Sequence, residues 1–243
     1  IGMRVFNNGN GVAKNVRLSA VSMQIAENRQ GLAVDFSMQK TMRNGMDFSL
    51  PLNDIALGTI QPQEIHTLEY SFVSSLLSTL NVSEISVIHN SSVDERDMNI
   101  VDAYSHRLVR PILEYQQGAD SIHDFLTDDI DNGPNHPDSI YFSTGHASFV
   151  CMADSTTFDH NIEISNEDSA LTVEVILYPD TIGWNYGISD DPGSGKYDIV
   201  SCVRDDGAII PLDNIWLTFV DLAEGQDPDY INRMHLIDTL SEV

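Results

Sequence analysis

Lysine and arginine are scarce in this chain: 12 of them face 37 aspartates and glutamates in 243 residues, a formal net charge of −25. Phosphate recognition needs clustered Lys and Arg, so this balance argues against nucleic acid as a partner, and it would also repel an anionic membrane surface. It suits divalent cations, basic partners, or high salt that screens the self-repulsion. Long apolar runs are missing too: none approaches the ~18 residues of a membrane-spanning helix, so no transmembrane segment is expected. No basic stretch followed by an apolar one opens the sequence, so no signal peptide is visible. The chain starts at Ile1 and runs straight into a strand-like pattern, as a piece excised from a longer precursor would. Cysteine is limited to Cys151 and Cys202. Also missing are His-Glu-x-x-His, Cys-x-x-Cys and Gly-x-Ser-x-Gly, the spacings that zinc sites and hydrolase elbows require.

The acids that are present are unevenly spread. Residues 1–113 hold eleven carboxylates against nine bases, whereas from Glu114 onward there are twenty-six against three, Lys196, Arg204 and Arg233. The stretch from Glu114 to Asp138 contains seven acids and no Lys or Arg, with Gly118, Gly133, Pro134 and Pro137 where periodic structure would stop. The expected organisation is a first module at 1–113, an acidic linker at 114–138 and a second module at 139–243.

The first module reads as short strands. Residues 1–6 alternate, Asn7-Asn-Gly-Asn-Gly11 is a turn, and Val16, Leu18 and Ala20 recur at period two, with a parity change at Ala20-Val21 that suggests a bulge or the end of one strand. Leu32, Val34, Phe36 and Met38 alternate, Asn44-Gly45 is a second turn, and Met46, Phe48 and Leu50 alternate again. Leu57 to Glu64 reads as a loop entering the strand that carries Leu68, Tyr70 and Phe72; Val73 to Leu80 suits a helical turn. Residues 82–89 return to extended character, and Met98 to Val109 supplies a last strand. Seven or eight short strands with Asn-Gly turns describe an antiparallel sandwich.

The run Val5-Phe-Asn-Asn-Gly-Asn-Gly-Val-Ala-Lys-Asn-Val-Arg-Leu18 resembles the opening of immunoglobulin-like modules of the CARDB type, which are repeated in large secreted or cell-surface proteins. Leu57-Gly-Thr-Ile-Gln-Pro-Gln-Glu64 resembles a later turn of that family, with Gln63 standing where Gly is usual. The resemblance covers the first hundred residues at most. It implies a non-catalytic spacer or adhesive unit, by analogy of fold.

The second module reads as all-β as well, with extended runs at 139–142, 147–152, 161–164, 171–178, 197–203 and 208–211, an apolar run at 215–222 and a short closing one around Met234, Leu236 and Ile237. The fold class expected for the whole chain is therefore all-β, two consecutive β-sandwich (immunoglobulin-like) modules joined by an acidic linker. Cys151 and Cys202 fall in apparent strands of this half; they either form a disulfide between neighbouring strands or remain two buried thiols, and a bridge is the expectation for an oxidising compartment.

Calcium is the cofactor the acids could serve. Asp124, Asp128, Asp129 and Asp131, followed by Asn132-Gly133, offer oxygen ligands in a short stretch, although the spacing fails the EF-hand pattern and a solvated acidic linker is the plainer reading. Asp190, Asp191, Asp205 and Asp206 sit in two turns that could converge, while Asp in turns is ordinary. Trp184 and Tyr186, in an expected loop, would suit glycan contact if exposed on one rim; Trp216 reads as core. Asn81-Val-Ser83 and Asn90-Ser-Ser92 match the glycosylation sequon. Ser143-Thr-Gly-His146 lacks the surroundings of a triad, and no carboxylate pair stands out among 37 acids. The function expected is a non-catalytic structural or adhesive segment of a large extracellular or cell-surface fibre, whose partners are neighbouring modules or copies. The alternatives are a glycan-binding second module and an accessory domain of a hydrolase.

Overall fold

Period-two patterning becomes strands throughout the computed structural model, which describes residues 1–19, 23–27, 31–49, 55–76, 79–82, 85–90, 97–98, 104–116, 118–129, 136–153, 159–164, 171–176, 182–219 and 231–240. Among these residues there is no α-helix, only one 3-10 turn, and hence no helix long and apolar enough to cross a membrane. The chain divides into two units, Ile1–Ser105 with Ser143–Gly145, and His106–Phe142 with His146–Val243.

The first unit contains β1 (Gly2–Phe6), β2 (Ala13–Leu18), β3 (Met23–Glu27), β4 (Phe36–Arg43), β5 (Met46–Asp47), β6 (Ile55–Ile60), β7 (Ile65–Ser74), β8 (Thr79–Val82), β9 (Val87–Asn90) and β10 (Asp97–Met98). They form two four-stranded sheets, β1-β7-β4-β5 and β10-β9-β2-β6, and the pair β3-β8. One apolar cluster draws on both sheets, with Val16, Leu18, Ile55, Leu57 and Ile60 from the second and Leu68 and Tyr70 from the first. Each such side chain contributes about 1.5–3 kcal/mol by leaving water. Burial also pushes the Tyr70 phenol up to about 12. Asn44 and Gly45 have φ of 49° and 73°, the left-handed pair that a two-residue hairpin requires, and they join β4 to β5 as their Asn-Gly sequence indicates.

Several expectations for this unit are corrected. Leu57 to Ile60 belongs to a strand, and the turn is confined to Gln61–Glu64; Leu57 and Ile60 face the core while Ala56 and Gly58 do not. The described part of Val73 to Leu80 ends β7 at Ser74, bends at Ser75 and Leu76 and begins β8 at Thr79, with no helical turn among those residues. β2 ends at Leu18 and carries a bulge at Lys14–Arg17 that the pattern did not signal; the parity change expected at Ala20-Val21 falls outside the described residues.

The second unit contains β11 (Arg107–Ile112), β12 (Asp124–Asp128), β13 (Ser139–Tyr141), β14 (Ala147–Met152), β15 (Asp159–Ile164), β16 (Leu171–Ile176), β17 (Gly183–Asp190), the 3-10 turn η1 (Leu212–Asn214), β18 (Ile215–Thr218) and β19 (Arg233–Leu240). Seven strands form one sheet in the order β11-β12-β13-β14-β17-β19-β18, with β14 and β17 parallel and the other pairs antiparallel; β15 and β16 pair separately. Neighbours on a strand point to opposite faces. Ile237 accordingly joins a cluster with Ile112, Leu126, Ile140, Trp184, Tyr186 and Trp216, while Leu236 and Met234 join another with Ile210 and Ile215.

The acidic stretch 114–138 is not simply a solvated connector: its centre is strand β12, buried along its length and hydrogen-bonded to β11 and β13. Phe125 and Leu126 cover opposite faces of the sheet, and Asp128 at the strand end is held by Arg107 at 3.2 Å, a base twenty-one residues back in sequence. Arg107–Ile112 likewise belongs to the second unit, since its ladder partner is β12. The expected runs at 197–203 and 208–211 form no named strands and meet only at the bridge Val203–Ile209.

Candidate functional site

The two stretches that carry the family resemblance meet in the first unit. Asn7 Nδ2 donates to the carbonyls of Gly11 at 2.9 Å and Ile60 at 3.0 Å, and Asn7 Oδ1 accepts from Gly9 N at 3.1 Å. The backbone of Asn7 pairs with the Gln61–Glu64 turn, through Asn7 N to Glu64 O at 3.0 Å and Gln63 N to Asn7 O at 2.8 Å. Glu64 N bonds Gln61 O at 3.1 Å across Pro62 and Gln63, and Gln63 has φ of 62°. This is the geometry of a type II turn, whose third residue is ordinarily Gly. Glu64 closes it, its Oε2 accepting from Gln61 N at 2.6 Å and holding its carboxyl below the usual range, and its Oε1 meeting His66 Nε2 at 3.1 Å. Arg43 donates to His66 Nδ1 from the other side, so Nε2 carries the imidazole proton. These groups lock a loop.

A cleft of about 340 Å3 opens on the outer face of the second sheet, lined by Asn15, Val16, Arg17, Ala56, Gly58 and Asn90. Its origin is the bulge: Lys14 pairs with Asn90 and Arg17 with Ile88, so three steps on β2 match two on β9. Asn15 takes up the extra residue at φ of 50°, and Gly58, opposite Val16 on β6, has φ of 82°. In a regular strand residues three apart face opposite ways; here the insertion puts Lys14 and Arg17 on the same exposed face. Spacing gave no signal for this pair, because it has the wrong parity for a shared face.

Of the residues proposed to hold calcium, the three that are described, Asp124, Asp128 and Asp129, form no metal-ligating group. Asp124 and Asp128 lie four residues apart on one extended strand, about 13 Å, whereas one ion needs oxygens at about 2.3–2.6 Å. Asp129 receives Tyr141 Oη at 2.7 Å and faces His106 Nδ1 at 2.9 Å, with the two rings tilted 35° to each other at 4.3 Å between centroids. Its backbone N donates to Asp138 Oδ2 at 3.1 Å. Asp131 lies outside the described residues, among which no group of three metal-ligating side chains occurs. The second acidic set is dispersed as well. Asp190 pairs with Arg233, Asp191 accepts the Gly193 and Gly195 N–H groups at 2.8 and 2.6 Å, and Asp206 is pulled down to about 2 by Arg204.

Trp184 and Tyr186 do not form an exposed sugar platform: they are 7% and 0% exposed and sit in the core on β17. The sequence around them resembled a loop because strands buried on both faces lose their polar alternation. Tyr186 Oη lies 2.7 Å from His235 Nδ1, whose Nε2 lies 2.7 Å from Thr218 Oγ1, and the imidazole stacks on Trp216 at 4.9 Å with Arg110 over the indole. Burial first, then Arg110 and Arg233, lower the His235 pKa to about 4, so it is neutral at pH 7.

On the opposite face, Tyr115 donates to the buried carboxylate of Asp238, which also accepts Thr239 N at 2.7 Å. Arg204 donates to Tyr115 Oη and to Thr239 O, each at 3.1 Å. These four residues span the segment ends, which is why no short motif announced them. Cys151 and Cys202 are free thiols, in correction of the expected bridge. Cys151 lies on β14, paired with Asn185, whereas Cys202 packs against the cluster of Ile210, Ile215, Met234 and Leu236 under β18 and β19. Burial and Asp238 push the Cys202 thiol up. Of the sequon asparagines, Asn81 is exposed and Asn90 is half-buried at the cleft.

No family model, no curated protein and no solved structure matches the chain.

Proposed function

We propose that this chain is a pair of immunoglobulin-like β-sandwich modules forming a non-catalytic structural or adhesive segment of a large extracellular or cell-surface fibre, with neighbouring modules or further copies as partners. The observation that carries the reading is the clasp at Asn7. The two stretches that resemble CARDB-type modules meet there: the Asn7 side chain binds the carbonyl of Ile60, 53 residues on, and the Asn7 backbone bonds the Gln61–Glu64 turn. The polar residues of the second unit favour the same reading, since Asp191, Arg204, His235 and Asp238 spend their hydrogen bonds on loops and on neighbouring strands. Antibody raised against the chain should label intact cells that make it, and the labelled material should elute as a large assembly. Labelling confined to permeabilised cells, or a free monomer that turns over a substrate, would overturn the proposal.

A further inference from the structure

We propose that Asn10-Gly11, in the turn between β1 and β2, is a site of spontaneous covalent modification, where the folded chain converts Asn10 to aspartate and isoaspartate while sparing its other described Asn-Gly pairs. The proposal does not depend on the fibre reading.

The reaction needs two free groups and solvent water. The main-chain nitrogen of the following residue attacks the Asn Cγ, the new N–C bond closes a succinimide ring, and the Cγ–Nδ2 bond breaks to release ammonia, which takes up the proton of the attacking nitrogen. Water then adds at one ring carbonyl or the other and opens it to aspartate or isoaspartate. Glycine favours the attack, because it has no Cβ to crowd the ring. The described pairs are Asn8-Gly9, Asn10-Gly11 and Asn44-Gly45, while Asn132-Gly133 lies outside the described residues. Local sequence ranks the three alike; hydrogen bonding separates them.

Asn8-Gly9 is restrained at the nucleophile, since Gly9 N donates to Asn7 Oδ1 at 3.1 Å. Asn44-Gly45 is restrained at the carboxamide. Asn44 Oδ1 accepts from Thr67 N at 2.9 Å and Asn44 N donates to Thr67 O at 3.0 Å, which ties the residue to a position on β7 that is 2% exposed. Turning that carboxamide toward Gly45 N strands a buried N–H. Asn10 has neither restraint: it is exposed, and neither its carboxamide nor Gly11 N makes a hydrogen bond among the described residues.

The product acts on the clasp. Gly11 O accepts Asn7 Nδ2 at 2.9 Å. Isoaspartate lengthens the main chain by one carbon between residues 10 and 11 and so displaces that carbonyl from Asn7, and either product adds a carboxylate to an acidic chain. The turn thereby carries an ageing device for the first unit.

The test is peptide mapping by tandem mass spectrometry of the whole chain held in warm, mildly alkaline buffer, folded and in urea. In urea the three pairs should react at similar rates. In the folded chain Asn10 should lead Asn8 by about two- to tenfold, the scale of one exposed hydrogen bond, and Asn44 by about fivefold to a hundredfold, the scale of stranding a buried donor. Asn7→Ala, which frees Gly9 N, should bring Asn8 up towards the rate of Asn10. Gly11→Ala, at a residue whose φ lies outside the left-handed region, should slow Asn10 alone, with circular dichroism confirming the fold of both variants. Asn8 or Asn44 reacting as fast as Asn10 in the folded chain, an Asn10 that stays intact, or an unchanged Asn8 rate in folded Asn7→Ala would overturn the proposal. Should Asn7→Ala fail to fold, the ranking in the folded wild type against that in urea decides alone.

Discussion

Replacing Gln63 by Gly tests whether the resemblance in the first unit has a physical basis. Gln63 occupies the third position of the Gln61–Glu64 turn at φ of 62°. A side chain in that region costs about 1–2 kcal/mol, and glycine pays none of it. Two losses offset the gain. The Gln63 Nε2 bond to Asn8 O, at 3.3 Å and exposed, goes with the side chain, and it is worth at most about 0.5 kcal/mol there. Glycine also gives the unfolded chain more freedom, about 0.5 kcal/mol. The balance is a stabilisation of about 0.5 kcal/mol at the middle of these ranges, or a rise of about 2–4 °C in the midpoint for a unit of this size. Calorimetry of the whole chain should show that rise in one transition only. Gln63→Ala, which removes the side-chain bond and keeps the strain, should be neutral or slightly lower. If Gln63→Gly unfolds at or below the wild-type midpoint, the turn is not under the strain its dihedral implies.

Tyr115→Phe should destabilise the second unit by about 1–2 kcal/mol in urea, because it removes a donor from the buried Asp238 carboxylate; a loss below about 0.3 kcal/mol would mean that Arg204 and Thr239 satisfy it alone. His235 is depressed to about 4, so between pH 6.5 and 4 the unfolded chain takes up a proton that the folded one refuses. Its contribution, about 2–4 kcal/mol, is complete above pH 6.5 and lost as pH falls towards 4. Urea unfolding of His235→Gln should show a shallower pH slope across that window, and an unchanged slope would refute the assignment. Intact mass after alkylation in denaturant without reductant should show two modified thiols, and under native conditions Cys202 should react more slowly than Cys151, since its thiol is pushed up by burial.

Local pattern determined a good deal of this protein. Alternation placed β1, β2, β7 and β14, the Asn44-Gly45 pair specified a hairpin turn by its tolerance of positive φ, and the apolar content and scarcity of helical stripes indicated an all-β chain. Each of those features depends on residues within a few positions of one another. What the tertiary structure decided depends on partners far away in sequence. Asp124–Asp128 is a strand because β11 and β13 supply its ladder and Arg107 neutralises its end, which no count of local charge could reveal. Trp184 and Tyr186 are core because both faces of β17 are covered. Lys14 and Arg17 share a face because a single inserted residue reverses the parity of β2, and that insertion exists only relative to the register of β9. Spacing along a chain fixes which face a residue takes only while the ladder stays regular; once a bulge intervenes, the face is a property of the pairing.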